Sequence, residues 1–213
     1  MSTTTPARRR DAEANREAIL EAAERIISGD PAASIDLIAR GAGLTRRAVY
    51  GHFADRTALV HEVIARCAER IAGIAVRNRA ESLASDPILA IADLADALWR
   101  EADRIRVVAA LARDGEHGDA VNEALRPLRE RLLEVCRTGR DQNVVRADLP
   151  AVQTARLLEE VARGAILGTD DSDPQHFPTA SLAVLGAAGC GWREADAALT
   201  RRAALRQERQ AAA

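Results

Sequence analysis

Apolar residues recur along this chain at three- and four-residue steps, the period of one helix face. Ile19, Ala23 and Ile26, with Leu20 and Ile27 beside them, predict a helix from Asp11 that Gly29-Asp30-Pro31 ends. Ile35, Ile38 and Ala39 predict a short second helix, and Val49 and Phe53 mark the inner side of a third. Leu59, Val63, Cys67, Ile71 and Ile74 then run along one side of a long helix from about Asp55 to Ala80. Pro87 follows Asp86 as a first-turn proline, opening a helix with Ile88, Ile91, Leu94, Ala95, Leu98 and Trp99. A segment from Ile105 to Ala112, a loop over Gly115–Gly118 and a stripe of Val121, Leu125, Leu128, Leu132 and Val135 come next. Pro127 lies inside that stripe and predicts a kink or a break. Residues 139–149 read as a polar connection. Pro150 opens a helix carrying Ala155, Leu158, Val161, Ala162 and Ala165. Residues 168–176 read as a loop, Pro178–Ala188 as an apolar helix, and the remainder as a charged tail, helical or frayed. No strand pattern interrupts this order, so the expected fold class is all-α.

Chemistry concentrates between Ser34 and Phe53. Ser34 can cap the second helix, and Asp36 suits the positive end of its dipole. Ala42-Gly43 stops that helix, since Gly43 can take the left-handed conformation at no steric cost. Leu44 plugs the angle, and Thr45 caps the third helix. Two short helices joined this way form a helix-turn-helix, whose second helix enters the DNA major groove. Arg46, Arg47 and Tyr50 crowd its outer side. Arginine can donate to guanine or phosphate, and Thr45, Tyr50 and His52 can donate to phosphate oxygens. Asp55 caps the next helix. Arg56 in its first turn is unfavourable for the dipole unless an anion such as a DNA phosphate offsets it.

Composition changes the picture in three ways. All 30 basic residues are arginine, and the net charge of −2 rules out a broad basic field. Residues 1–60 hold nine arginines against eight acids, and the rest 21 against 24, so specific arginines must carry any DNA binding. Residues 1–10, with Arg8, Arg9 and Arg10, read as a disordered basic arm that either reaches DNA or stays solvated. Cys67, Cys136 and Cys190 lack metal-ligand spacing, and so do His52, His61, His117 and His176. The expectation is reduced thiols, no metal, no cofactor and no enzyme active site. With no apolar run of membrane-spanning length, the expected location is the cytoplasm.

Residues 16–60 resemble the N-terminal domain of the TetR family of transcriptional regulators. The resemblance rests on REAILEAAERII and SIDLIARGAGLTRRAVYGHFADRTALV, with Ile38-Ala39, Ala42-Gly43, Leu44, Thr45, Tyr50, His52-Phe53 and Arg56 at the family's marked positions. It departs at Arg47 and Gly51, where a small and a larger residue are usual, and at Arg56 and Thr57, which replace a lysine and an acid. The resemblance implies phosphate contacts from Thr45, Tyr50, His52 and Arg56. With Ser34, Arg46 and Arg47 these are the candidate DNA-binding residues.

The resemblance further implies a helix-turn-helix domain over 11–57 and a larger helical domain over 58–213 that binds an inducer and dimerises through its last two long helices. Here those are about 150–167 and 178–188, with Leu158, Val161, Leu182, Leu185 and Gly186 as interface candidates. The almost uncharged PTASLAVLGAAG must be buried, against a partner copy or within the protomer. Cys67, Leu98, Trp99, Leu111 and His117 are candidates for the wall of a ligand pocket. The expected function is a ligand-responsive repressor, a homodimer on a near-palindromic double-stranded DNA operator and released by an unknown small-molecule inducer. The alternative is a DNA-binding regulator whose C-terminal domain binds a protein partner.

Overall fold

The apolar stripes become ten helices in the computed structural model, which describes residues 6–81, 86–112, 116–168 and 176–211 and holds no strand among them. They are α1 (Pro6–Gly29), α2 (Ile35–Gly41), α3 (Arg46–His52), α4 (Arg56–Glu81), α5 (Pro87–Arg100), α6 (Ala102–Leu111), α7 (Gly118–Asp141), α8 (Ala151–Gly168), α9 (His176–Ala187) and α10 (Trp192–Ala211). The chain forms two compact units, Met1–Glu69 with Asp103–Ala124 and Arg70–Ala102 with Leu125–Ala213. α4, α6 and α7 each contribute residues to both.

In the first unit α1 packs on α2 and α3, and α2 on α3. Its buried side chains include Ile19, Leu20, Ile27, Ile38, Val49, Phe53, Leu59 and Val63, the positions the spacing marks as inward. α1 starts at Pro6, five residues before the expected Asp11, and residues 1–5 of the basic arm lie outside the described residues. Proline at a helix start loses no intrahelical donor, and Ala and Arg are good helix formers.

In the second unit α9 packs against α5, α8 and α10, and α10 also against α5. Asp86 caps α5 by accepting from the Ile88 and Leu89 N–H groups, both at 3.1 Å. α7 runs through Pro127 without a break. The Pro127 position is half-buried and Glu123, one turn earlier, is exposed, so water can reach the backbone there. Buried Leu125, Leu128 and Leu132 hold the helix on its other side.

The connection between α7 and α8 is pinned by its backbone. The Arg146 N–H donates to the Ala188 carbonyl at 2.8 Å, and Gly189, at φ +104°, passes so close that a Cβ there would lie 2.8 Å from the Arg146 Cβ.

The charged tail is a 20-residue helix, α10. Its buried Arg202 pairs with Asp93 and Asp96 of α5, more than a hundred residues away in sequence. On α8, buried Glu159 accepts from Arg129 at 2.7 and 2.8 Å and from Arg163 at 2.8 Å. Burial raises the Glu159 pKa, but the hydrogen bonds and charges of the two arginines outweigh it and hold the carboxyl below its usual range.

Candidate nucleic-acid interface

Three backbone devices fix the angle between α2 and α3. The Ser34 hydroxyl accepts from the Leu37 N–H at 3.3 Å, capping α2, and the Thr45 hydroxyl accepts from the Ala48 N–H at 3.2 Å, capping α3. Between them Gly43 sits at φ +69°. The Leu44 N–H donates to the Ala39 carbonyl at 2.9 Å and the Gly43 N–H to the Arg40 carbonyl at 3.1 Å, the paired bonds of a Schellman stop. Arg25 of α1 adds a hydrogen bond to the Gly41 carbonyl at 3.2 Å.

On this frame Thr45, Arg46, Arg47 and Tyr50 are all exposed, and His52 is half-buried at the end of α3. Val49 and Phe53 turn inward, and the Arg16 guanidinium stacks 5.4 Å from the Phe53 ring centroid. Arg46 is held in place. Its Nη1 pairs with the Asp36 carboxylate at 3.1 Å, its Nη2 reaches the Tyr50 hydroxyl at 3.3 Å, and its guanidinium lies 5.5 Å from the Tyr50 ring centroid. Hydrogen bonding to Tyr50 and the charge of Asp36 raise its pKa further. Arg47 has no ion pair or hydrogen bond among the described residues. No acid lies in the first turn of α3. The outcome is a small basic and hydroxyl-bearing surface, with a large exposed aromatic, on one short helix.

Arg56 has a structural partner set that the sequence does not announce. Its Nε donates to the Ala33 carbonyl at 3.0 Å and its Nη2 to the Pro31 carbonyl, tying the start of α4 to the α1–α2 loop. These carbonyls, like the phosphate expected above, offset the cost of a cation at the helix start. Asp55 caps α4 as the sequence predicts, accepting from the Ala58 N–H at 2.7 Å.

The other candidates fall as follows. Cys67, Leu111 and His117 are buried in the first unit. The Cys67 thiol donates to the Arg104 carbonyl at 3.1 Å. The His117 ring stands edge-on to His61 at 5.6 Å between centroids, with no hydrogen-bond partner for its Nε2 among the described residues. Leu98 is buried and Trp99 half-buried in the second unit. Leu158 and Leu185 are fully buried within the protomer, so they back the α8–α9 surface and do not line it. Val161 and Leu182 are half-buried and Gly186 is exposed. Asp36 is the residue that sequence reasoning missed as a partner of Arg46: it reads as a dipole acid, and only the angle across the turn brings the two together.

Residues 19–63 match the family model described as bacterial regulatory proteins, tetR family. No curated protein matches the chain. Among solved structures it is similar to a TetR-family transcriptional regulator from Agrobacterium tumefaciens, at TM-score 0.66 and 19% identity, covering 82% of this chain and 97% of that one. It is similar to a gamma-butyrolactone receptor described as ArpA-like, at TM-score 0.66 and 20% identity, covering 93% and 98%. It also resembles RolR in complex with resorcinol, at TM-score 0.56 and 18% identity, covering 91% and 97%. At these identities the likeness establishes the fold. Residues 19–63 thus carry a domain of the tetR family of bacterial regulatory proteins, within an all-α chain that shares the fold of these structures.

Proposed function

We propose that this regulator is a ligand-responsive repressor that binds a near-palindromic operator in double-stranded DNA as a homodimer. It acts in the cytoplasm without catalysis, through a helix-turn-helix domain over 11–57 and a regulatory domain over 58–213. The observation that carries the reading is the outer side of α3: Arg46, Arg47 and Tyr50 exposed together on a helix whose entry angle is fixed by two caps and a Schellman stop. Arg46 or Arg47 reads a base edge, and Thr45, Tyr50 and His52 position the helix on phosphates, with Ser34 at the flank. Arg56 orders the α1–α2 loop and adds a phosphate contact with its remaining N–H donors. Two copies meet through Val161, Leu182 and Gly186 on α8 and α9, backed by Leu158 and Leu185. The small-molecule reading is supported by the fold relatives named for a gamma-butyrolactone and solved with resorcinol. Cys67, Leu111 and His117 in the first unit and, separately, Leu98 and Trp99 in the second are the proposed ligand-contacting residues. α4, one continuous helix belonging to both units, carries the coupling, which must equal the difference in ligand affinity between the two states.

Selection of bound sequences from random duplex DNA, at two salt concentrations, tests the reading. The expected result is a palindromic motif with half-sites about 34–36 Å apart. Tyr50→Ala should weaken all sequences alike, and Arg46→Ala should relax one position at a cost of about 1–3 kcal/mol. No enriched motif would overturn the reading.

A further inference from the structure

One cleft in the second unit carries more positive charge than its own acids neutralise. It lies between α4, α5 and α10, has a volume of about 240 Å³, and is walled by Arg77, Arg100 and Arg206 with Asn78, Asp93 and Glu101, Ala97 being its accessible apolar wall and buried Ile74 lying behind. Behind the wall a single oxygen, Oδ2 of buried Asp96, receives Arg100 Nη2 at 2.6 Å, Arg206 Nη1 at 2.6 Å, and Arg202 Nη2. An oxygen with two lone pairs is oversubscribed by three charged donors. Asp93 serves Arg202 as well and meets Arg206 only at 3.4 Å. Arg77, on α4, has neither an ion pair nor a hydrogen bond among the described residues. Its Nη1 lies over Gly73, close enough that a Cβ there would sit 3.2 Å away. In total four arginines (77, 100, 202 and 206) face three carboxylates (Asp93, Asp96 and Glu101).

We infer that this cleft binds a small organic acid, its carboxylate held by Arg77, Arg100 and Arg206 and its carbon body lying against Ala97. One surplus positive charge matches one carboxylate, and a guanidinium fork matches its two oxygens. The volume of about 240 Å³ is more than a bare inorganic anion fills. This inference goes beyond the small-molecule reading, because none of Cys67, Leu98, Trp99, Leu111 and His117 lines this cleft, and its test reads binding without DNA, so either can fail while the other stands.

Isothermal titration calorimetry of the full-length protein at low salt tests it with benzoate and hexanoate, benzamide as a neutral shape match, and inorganic phosphate. Saturable binding of at least one acid is expected, with benzamide weaker than benzoate where benzoate binds. Arg77→Gln, which has no internal partner to lose, should weaken the acid by at least about tenfold and leave benzamide unchanged. Ala97→Leu, which fills the apolar wall, should abolish acid binding while the circular dichroism spectrum stays that of the parent. Failure of both acids to saturate, an acid affinity indifferent to Arg77→Gln, or phosphate binding as tight as either acid would overturn the assignment.

Discussion

Gly43 and Gly51 lie eight residues apart, both exposed, and an added Cβ meets nothing within 4 Å at either position. Replacing each by alanine therefore isolates backbone conformation from packing, and the two effects should have opposite signs. Gly43 is at φ +69°, where an L side chain costs about 1–2 kcal/mol. Alanine also restricts the unfolded chain, which returns about 0.4–1 kcal/mol, so Gly43→Ala should lose about 1 kcal/mol. Gly51 is in the last turn of α3 with no positive φ, so only the unfolded-state gain remains, near the low end at about 0.5 kcal/mol. At about 2–4 °C per kcal/mol for a chain of this size, the melting temperature should fall by about 3 °C for Gly43→Ala and rise by about 1–2 °C for Gly51→Ala. Thermal melts followed by circular dichroism, at one fixed protomer concentration so that association does not shift the baseline, read both. A Gly43→Ala protein as stable as the parent, or a destabilised Gly51→Ala protein, would refute the account of the turn.

Two further outcomes follow from the side chains. Arg56→Met removes donors from the Pro31 and Ala33 carbonyls and should cost about 1–2 kcal/mol in denaturant unfolding without DNA; unchanged stability with lost DNA affinity would instead leave Arg56 a phosphate contact alone. Glu159→Gln should cost about 1–3 kcal/mol at pH 7, because Arg129 and Arg163 lose a buried charged acceptor. The Glu159 carboxyl is held below its ordinary value, so its contribution is full above about pH 4.3, the unfolded value, and is lost as pH falls through the lower folded one. The gap between variant and parent should close over that acid range in stability measurements, and a gap that stays constant down to pH 2 would assign the effect to packing.

The local parts of this molecule were legible in its sequence. Ser34, Thr45 and Asp55 cap the helices they precede, and Gly43 makes the stop, because a cap is chemistry between residues two or three apart. The inward stripe from Ile19 to Val63 follows from helical period alone. What stayed hidden depends on distant pairing. Arg56 meets carbonyls 23 and 25 residues away, and Arg202 meets Asp96 across 106 residues. Such pairs leave no periodic trace, so Arg56 reads as a misplaced cation and α10 as a charged tail. Of the kink or break that Pro127 predicts, the break does not occur: α7 continues through it, with buried Leu125, Leu128 and Leu132 packed inward.

The anchoring of Arg46 has a thermodynamic consequence for a duplex that α3 meets. Arg47 brings a charge with no internal partner, so pairing it with a phosphate releases a condensed cation and steepens the dependence on salt. Arg46 must instead leave Asp36, an exchange in which one ion pair replaces another. Its gain is muted and less sensitive to ionic strength, but its side chain arrives already ordered, so less rotamer entropy is lost on contact. On the proposed DNA reading, two adjacent arginines of identical chemistry would thus divide the labour, Arg47 adding salt-sensitive adhesion and Arg46 a pre-ordered contact.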